Sequence, residues 1–140
     1  MSQIAMRLLM LMLILMFALA ACGGSASNST APKTVTLTMT EFQFQPAEIT
    51  VNVGQPIKLV MNNNGTVLHD FVSEDAQVEV REEHGADHDM AERHTTMHTA
   101  VEAGQQSTLE FKATQPGTYT VYCTIAGHKE AGMVGKLIVK

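Results

Sequence analysis

Cysteine is scarce in this chain, basic charge is thin, and no apolar run is long enough for an ordinary bilayer span. The 140 residues include two cysteines, Cys22 and Cys123, so at most one intramolecular disulfide can exist. That bond would tie a flexible tail to the end of a core strand. Cys123 is therefore read as a single free thiol in a secreted protein, which calls for a partner or a task. Lys and Arg number 9 against 14 Asp and Glu, a net charge of −5. Nucleic acid needs a basic face, and this chain offers none. The apolar run at residues 8–19 falls short of the roughly 20 residues that a spanning helix wants. The length suits one domain and is too short for two.

What is present at the N-terminus reads as a processing signal. Arg7 supplies a positive start, residues 8–19 form the apolar centre, and Leu19-Ala20-Ala21 places small residues directly before Cys22. Leu-Ala-Ala-Cys resembles a bacterial lipobox, which implies a signal peptide over residues 1–21 and a lipid on Cys22. Several acyl chains on one residue would anchor the protein stably where a single chain is marginal. Met1, Met6, Met10, Met12 and Met16 all lie in this segment and carry no message about metal. Residues 22–32 are small and polar, as a tether between anchor and domain would be. The folded domain is expected over residues 33–140.

Within that domain the hydrophobic pattern has period two. Val35, Leu37 and Met39 alternate with threonines, followed by Ile49, Val51 and Val53, then Ile57, Leu59 and Met61. Later runs at 107–112, 118–123 and 136–140 continue the series, and Pro, Gly and Asn clusters punctuate it. Short strands without alternating helices predict an all-β fold, a Greek-key sandwich. Tyr119, after Pro116-Gly117, is positioned for a tyrosine corner.

Residues 73–104 break this pattern. Within residues 74–93, Glu74, Asp75, Glu79, Glu82, Glu83, Asp87, Asp89 and Glu92 face only Arg81 and Arg93, so the negative charge concentrates there and the rest of the mature chain is neutral. The segment also holds His84, His88, His94, His98, Met90 and Met97. It reads as an inserted excursion with a short helix over residues 86–101; separately, His84 with His88 and His94 with His98 are i, i+4 pairs that would share a face wherever the chain is helical. Two readings stand: a solvated acidic loop shielding a sheet edge, or a second metal site or copper-loading arm.

The most informative stretch is Cys123-Thr124-Ile125-Ala126-Gly127-His128-Lys129-Glu130-Ala131-Gly132-Met133. It follows an alternating run and spaces a thiolate, an imidazole and a thioether as C-x4-H-x4-M. Period two points Cys123 inward with Val121. With His69 as second imidazole, these donors match the trigonal His2Cys site with weak axial Met that copper prefers. A neutral Met is a poor ligand for zinc.

Residues 33–140 resemble the type 1 blue-copper proteins, the cupredoxins of the plastocyanin and azurin family. Glu41 to Pro46 leading to Ile49-Thr50-Val51, the Asn-rich turn before His69-Asp70-Phe71, and Tyr119 through Met133 followed by Gly135 to Val139 carry the likeness. The ligand spacing is most similar to the auracyanin branch. The resemblance implies one type 1 copper ion held by His69, Cys123 and His128 with Met133 axial, and His128 in an apolar surface patch as the electron's exit. It implies a monomeric electron carrier, not an enzyme; the lipobox-like N-terminus would tether it by lipid at Cys22 to a cell membrane, facing the periplasm or exterior. Its partners would be membrane-bound or soluble redox proteins, with the acidic excursion steering a basic partner at low salt. Further copper centres would need additional histidine sets, and the chain has no His-x-His pair. The competing expectation is copper storage, delivery or resistance through the His/Met-rich segment. Family members often carry Asn after the first His ligand; here Asp70 stands there, with Thr124 placed to meet it.

Overall fold

The computed structural model describes residues 31–84 and 97–140. The expected signal segment, Cys22, most of the tether, and His88, Met90 and His94 lie outside the described residues.

Those described form ten strands in two five-stranded sheets. In chain order they are β1 (Lys33–Thr40), β2 (Gln43–Gln45), β3 (Glu48–Val51), β4 (Pro56–Asn63), β5 (His69–Ser73), β6 (Val78–His84), β7 (Met97–Val101), β8 (Gln106–Ala113), β9 (Gly117–Tyr122) and β10 (Val134–Val139). One sheet has the order β2-β1-β4-β8-β6 and the other β3-β10-β9-β5-β7. Strand pairs β1/β4 and β3/β10 are parallel and the remaining pairs antiparallel.

The alternation read from the sequence becomes the inner faces of the two sheets. Leu37, Met39, Ile57, Leu59, Met61, Leu109 and Phe111 of the first sheet face Ile49, Phe71, Met97, Val121, Leu137 and Val139 of the second, all buried. Phe44 and Phe71 meet edge-on across the core at 5.7 Å. Each large side chain so buried contributes about 1.5–3 kcal/mol of hydrophobic free energy. The Tyr119 hydroxyl donates to the Gln115 carbonyl at 3.1 Å, the tyrosine corner expected from Pro116-Gly117.

The stretch 73–104 is more regular than the sequence suggests. Its described parts supply β6 to the edge of one sheet and β7 to the edge of the other. The expected helix over 86–101 is overturned at its C-terminal end, because Met97–Val101 is extended and pairs with β5 in the register His69↔Val101 to Ser73↔Met97. β-branched Thr99 and Val101 favour the pleated conformation, and burial of Met97, Thr99 and Val101 against the core outweighs helix propensity. His98 therefore belongs to a sheet, and Met97 is fixed in the core instead of standing free to bind metal.

Candidate metal centre

Topology brings the donors together. β9 runs antiparallel to both β5 and β10, so the end of β9 lies beside the starts of the other two. Cys123 directly follows β9, Met133 directly precedes β10, and His69 opens β5. His128 comes from the loop between Cys123 and Met133. One end of one sheet thus carries every donor that the sequence nominated.

Backbone bonds close that loop tightly. The Cys123 amide donates to the Met133 carbonyl at 3.1 Å and the Met133 amide to the His128 carbonyl at 2.9 Å. Within the loop the His128 amide reaches Ile125 O at 2.9 Å and the Ala131 amide reaches Gly127 O at 3.0 Å. Gly127 and Gly132 take φ of +83° and +106°, a region that side-chain-bearing residues avoid. The second glycine turns the chain so that Met133 enters the core, where it is fully buried.

The imidazoles and the thiol converge. His69 Nδ1 lies 3.2 Å from His128 Nδ1, and Cys123 Sγ lies 3.5 Å from His128 Nδ1. One atom from each of the three residues falls within 4.8 Å of the others, and all three residues are buried. Burial pushes the metal-free Cys123 thiol up to about 12. His69 is held below the ordinary imidazole range, first by burial and then by the neighbouring His128. The pocket thus disfavours both a lone thiolate and a lone imidazolium, and a bound cation supplies the missing compensation. Two imidazoles, one thiol able to ionise on a metal, and a buried thioether between β9 and β10 are a donor set that fits copper.

The surroundings hold the donors in place. The Asp70 carboxylate accepts hydrogen bonds from the Thr124 amide and the Thr124 hydroxyl, tying the residue after His69 to the residue after Cys123. His98 Nε2 lies 3.7 Å from the same carboxylate. The Asn63 side chain donates to the Val67 and Val101 carbonyls, both at 2.8 Å, and so pins the approach to His69 from the opposite sheet. Outside the core, Phe42 stacks edge-on against the His128 ring at 5.3 Å. His128 retains only 7% exposure while Phe42 is 48% exposed, so the imidazole reaches the surface beneath an aromatic cap. Phe42 also has a φ of +66°, unusual for a bulky residue.

All four nominated donors thus meet at one end of the sandwich. Sequence reasoning missed Phe42, Glu41 and His98 as neighbours. None has a local signature: the first two sit in a turn of the opposite sheet, and His98 was expected on a helix.

Comparison with known proteins agrees with this geometry. Residues 9–139 match the cupredoxin-like domain. The chain is 35% identical over 97 residues to the copper-resistant cuproprotein CopI of Rubrivivax gelatinosus, covering 68% of this chain and 58% of that protein. It is 38% identical over 95 residues to the chloroplastic plastocyanin minor isoform of Arabidopsis thaliana, covering 68% of this chain and 49% of that protein. The chain therefore spans only about half the length of these relatives. The fold is similar to auracyanin A, a "blue" copper protein from Chloroflexus aurantiacus, with a TM-score of 0.59, 22% identity, and coverage of 79% of this chain and 100% of that one.

Proposed function

This chain belongs to the cupredoxin-like domain family, and from that premise we propose that it is a one-electron carrier with a single type 1 copper ion. His69, Cys123 and His128 would hold the ion, with the Met133 thioether completing the donor set. The observation that carries this reading is the convergence of one donor atom each from His69, Cys123 and His128 within 4.8 Å, beside a buried thioether. Bound copper would supply the one-electron couple.

What the chain contributes is a frame in which the donors are already placed. His69 is set by the β5 register, Cys123 and Met133 by their mutual backbone bond, and the two loops are braced by Asp70 and Thr124. A site built this way changes little between oxidation states, which keeps the reorganisation cost low, and hydrogen bonds around the sulfur set its potential. The His128 ring reaches the surface with Phe42 over it and is where a redox partner would dock. We place the protein outside the cytoplasm, lipid-anchored at Cys22 on a cell membrane, with membrane-bound or soluble redox proteins as partners and no catalytic turnover of its own. Among the described residues the His/Cys cluster at this site stands alone as a metal-ligand group.

A second reading, copper resistance or delivery, draws on the likeness to CopI. Copper(II) titration of the metal-free protein, followed by visible absorption, separates them. One equivalent with an intense thiolate-to-copper band, lost in Cys123→Ser, supports the carrier. Further tight equivalents that vanish when residues 84–98 are deleted support the copper handler. No intense band at all overturns both the type 1 site and the carrier.

A further inference from the structure

His69 presents its two ring nitrogens to different surroundings. Nδ1 lies 3.2 Å from His128 Nδ1, whereas Nε2 is buried and makes no hydrogen bond. A buried, unsatisfied ring nitrogen on a fully buried histidine calls for a reason. It matters more here, because the proton on the distal nitrogen decides whether the other nitrogen is free to bind a metal.

Nε2 points at Gly65. A β-carbon on that residue would lie 2.7 Å from His69 Nε2, 2.9 Å from Glu41 Oε1 and 3.1 Å from Asn63 Oδ1. One nitrogen and two acceptor oxygens therefore border the space that glycine leaves. Asn63 is already committed: its Oδ1 accepts from the Gly65 amide at 2.9 Å and its amide nitrogen donates to Val67 and Val101. Glu41 is held in reach from the far side, accepting from the Thr66 amide at 2.5 Å and the Thr66 hydroxyl at 2.9 Å. Those bonds, the backbone one foremost, pull its pKa down to about 2, so it is an anion at any ordinary pH. A carboxylate has about four lone-pair positions, and two bonds from Thr66 leave room for a third donor.

We infer that Glu41 is a positioning residue for His69: its carboxylate stands across the Gly65 gap as the acceptor that the Nε2–H reaches after a small side-chain adjustment, which favours the tautomer with Nδ1 unprotonated and free for the site. The inference rests on the metal-site reading for its purpose, but not for its test. In the second coordination sphere such a carboxylate raises the basicity of the ligand and is worth about 10–100-fold in metal affinity. The turn between β1 and β2 thereby acquires a role beyond connecting two strands of the opposite sheet. Gly65 acquires one too, since any side chain there would occupy the gap between the two groups.

The test begins with the metal-free protein, in which nitrogen-15 correlation spectra of the imidazoles report the tautomer of His69 directly. Wild type is expected as the Nε2–H tautomer. Glu41→Ala is expected to shift the ring toward Nδ1–H, and Glu41→Gln, which keeps an acceptor oxygen, to restore the Nε2–H form in large part. Thr66→Val is the control: it loosens the same loop and leaves the carboxylate. If Glu41→Ala leaves the His69 nitrogen shifts as in wild type, or if Thr66→Val reproduces in full the change expected of Glu41→Ala, the inference is overturned and Glu41 merely braces a loop. In the copper-loaded protein, Glu41→Gln is expected to raise the reduction potential, because an anion near the ligand favours the oxidised ion; an unchanged potential counts against it. Failure to bind copper at all would sink the functional proposal while leaving the tautomer result standing. Glu41 is exposed, so these variants are expected to fold.

Discussion

Thr124 donates both its backbone amide and its side-chain hydroxyl to the carboxylate of Asp70. That pair joins the strand carrying His69 to the loop carrying Cys123 and His128. Burial alone would push the Asp70 carboxyl up, yet the contacts from His98 and Thr124 outweigh it and hold its pKa below the ordinary value. Its stabilisation is therefore complete above the unfolded value near 3.8 and is lost as pH falls through the lower folded value. Asp70→Ala strands two Thr124 donors and should cost about 1–3 kcal/mol in the metal-free protein. Asp70→Asn should keep the fold, remove this acid-labile contribution and raise the copper potential. Chemical denaturation across the acid range, with voltammetry, checks all three.

Cys123 governs the response to alkali. Its folded pKa of about 12, against an ordinary thiol value of 9.0, means that the metal-free protein keeps this contribution below pH 9.0 and loses it as pH rises toward 12. Binding a metal to sulfur needs the thiolate. Copper uptake at neutral pH should therefore release one proton from Cys123, and affinity should tighten as pH rises. Proton release in weakly buffered solution measures this; Cys123→Ser should abolish both the proton and the intense visible band.

Gly132 permits a clean separation of strain from crowding. A β-carbon there would meet nothing within 4 Å, but φ is +106°. Gly132→Ala should thus cost about 1–3 kcal/mol through backbone strain alone. Because the next residue is Met133, the thioether proposed as a copper donor should shift as well. Thermal melts give the first effect and the visible spectrum of the copper form the second.

Phe42 lies over His128 at the surface. At 48% exposure its removal forfeits little burial, and Phe42→Ala should change stability by less than about 1 kcal/mol. Aromatic residues at the centre of an interface are worth about 2 kcal/mol or more, so electron exchange with a docking partner should slow by roughly 30-fold at low protein concentration. Stopped-flow kinetics beside a melt distinguishes a docking residue from a structural one.

Much of the site was legible along the chain because its spacing is local. Cys123, His128 and Met133 lie in one loop, Gly127 and Gly132 mark its bends, and period two alone turned Cys123 inward beside Val121. The same periodicity announced β1, β3, β4, β8, β9 and β10. His69 was harder to find, since it is far away in sequence and was located by its donor type and by resemblance to blue-copper proteins. The stretch 73–104 misled in one respect: acidic residues and spaced histidines suggested a helix, whereas Met97–Val101 is β7, because pairing with β5 and burial against the core decide that segment.

The sequence by itself determined the donor types, the loop that carries three of them and the all-β architecture, for these depend on neighbours in the chain and on strict alternation. Only the tertiary structure decided which nitrogen of His69 faces the site, that Glu41 and Gly65 border the other, that Phe42 caps His128, and that His98 meets Asp70. Each of those contacts joins residues brought together by sheet packing and strand register. No local pattern encodes such a meeting, because it depends on how two sheets twist and stack around a shared core.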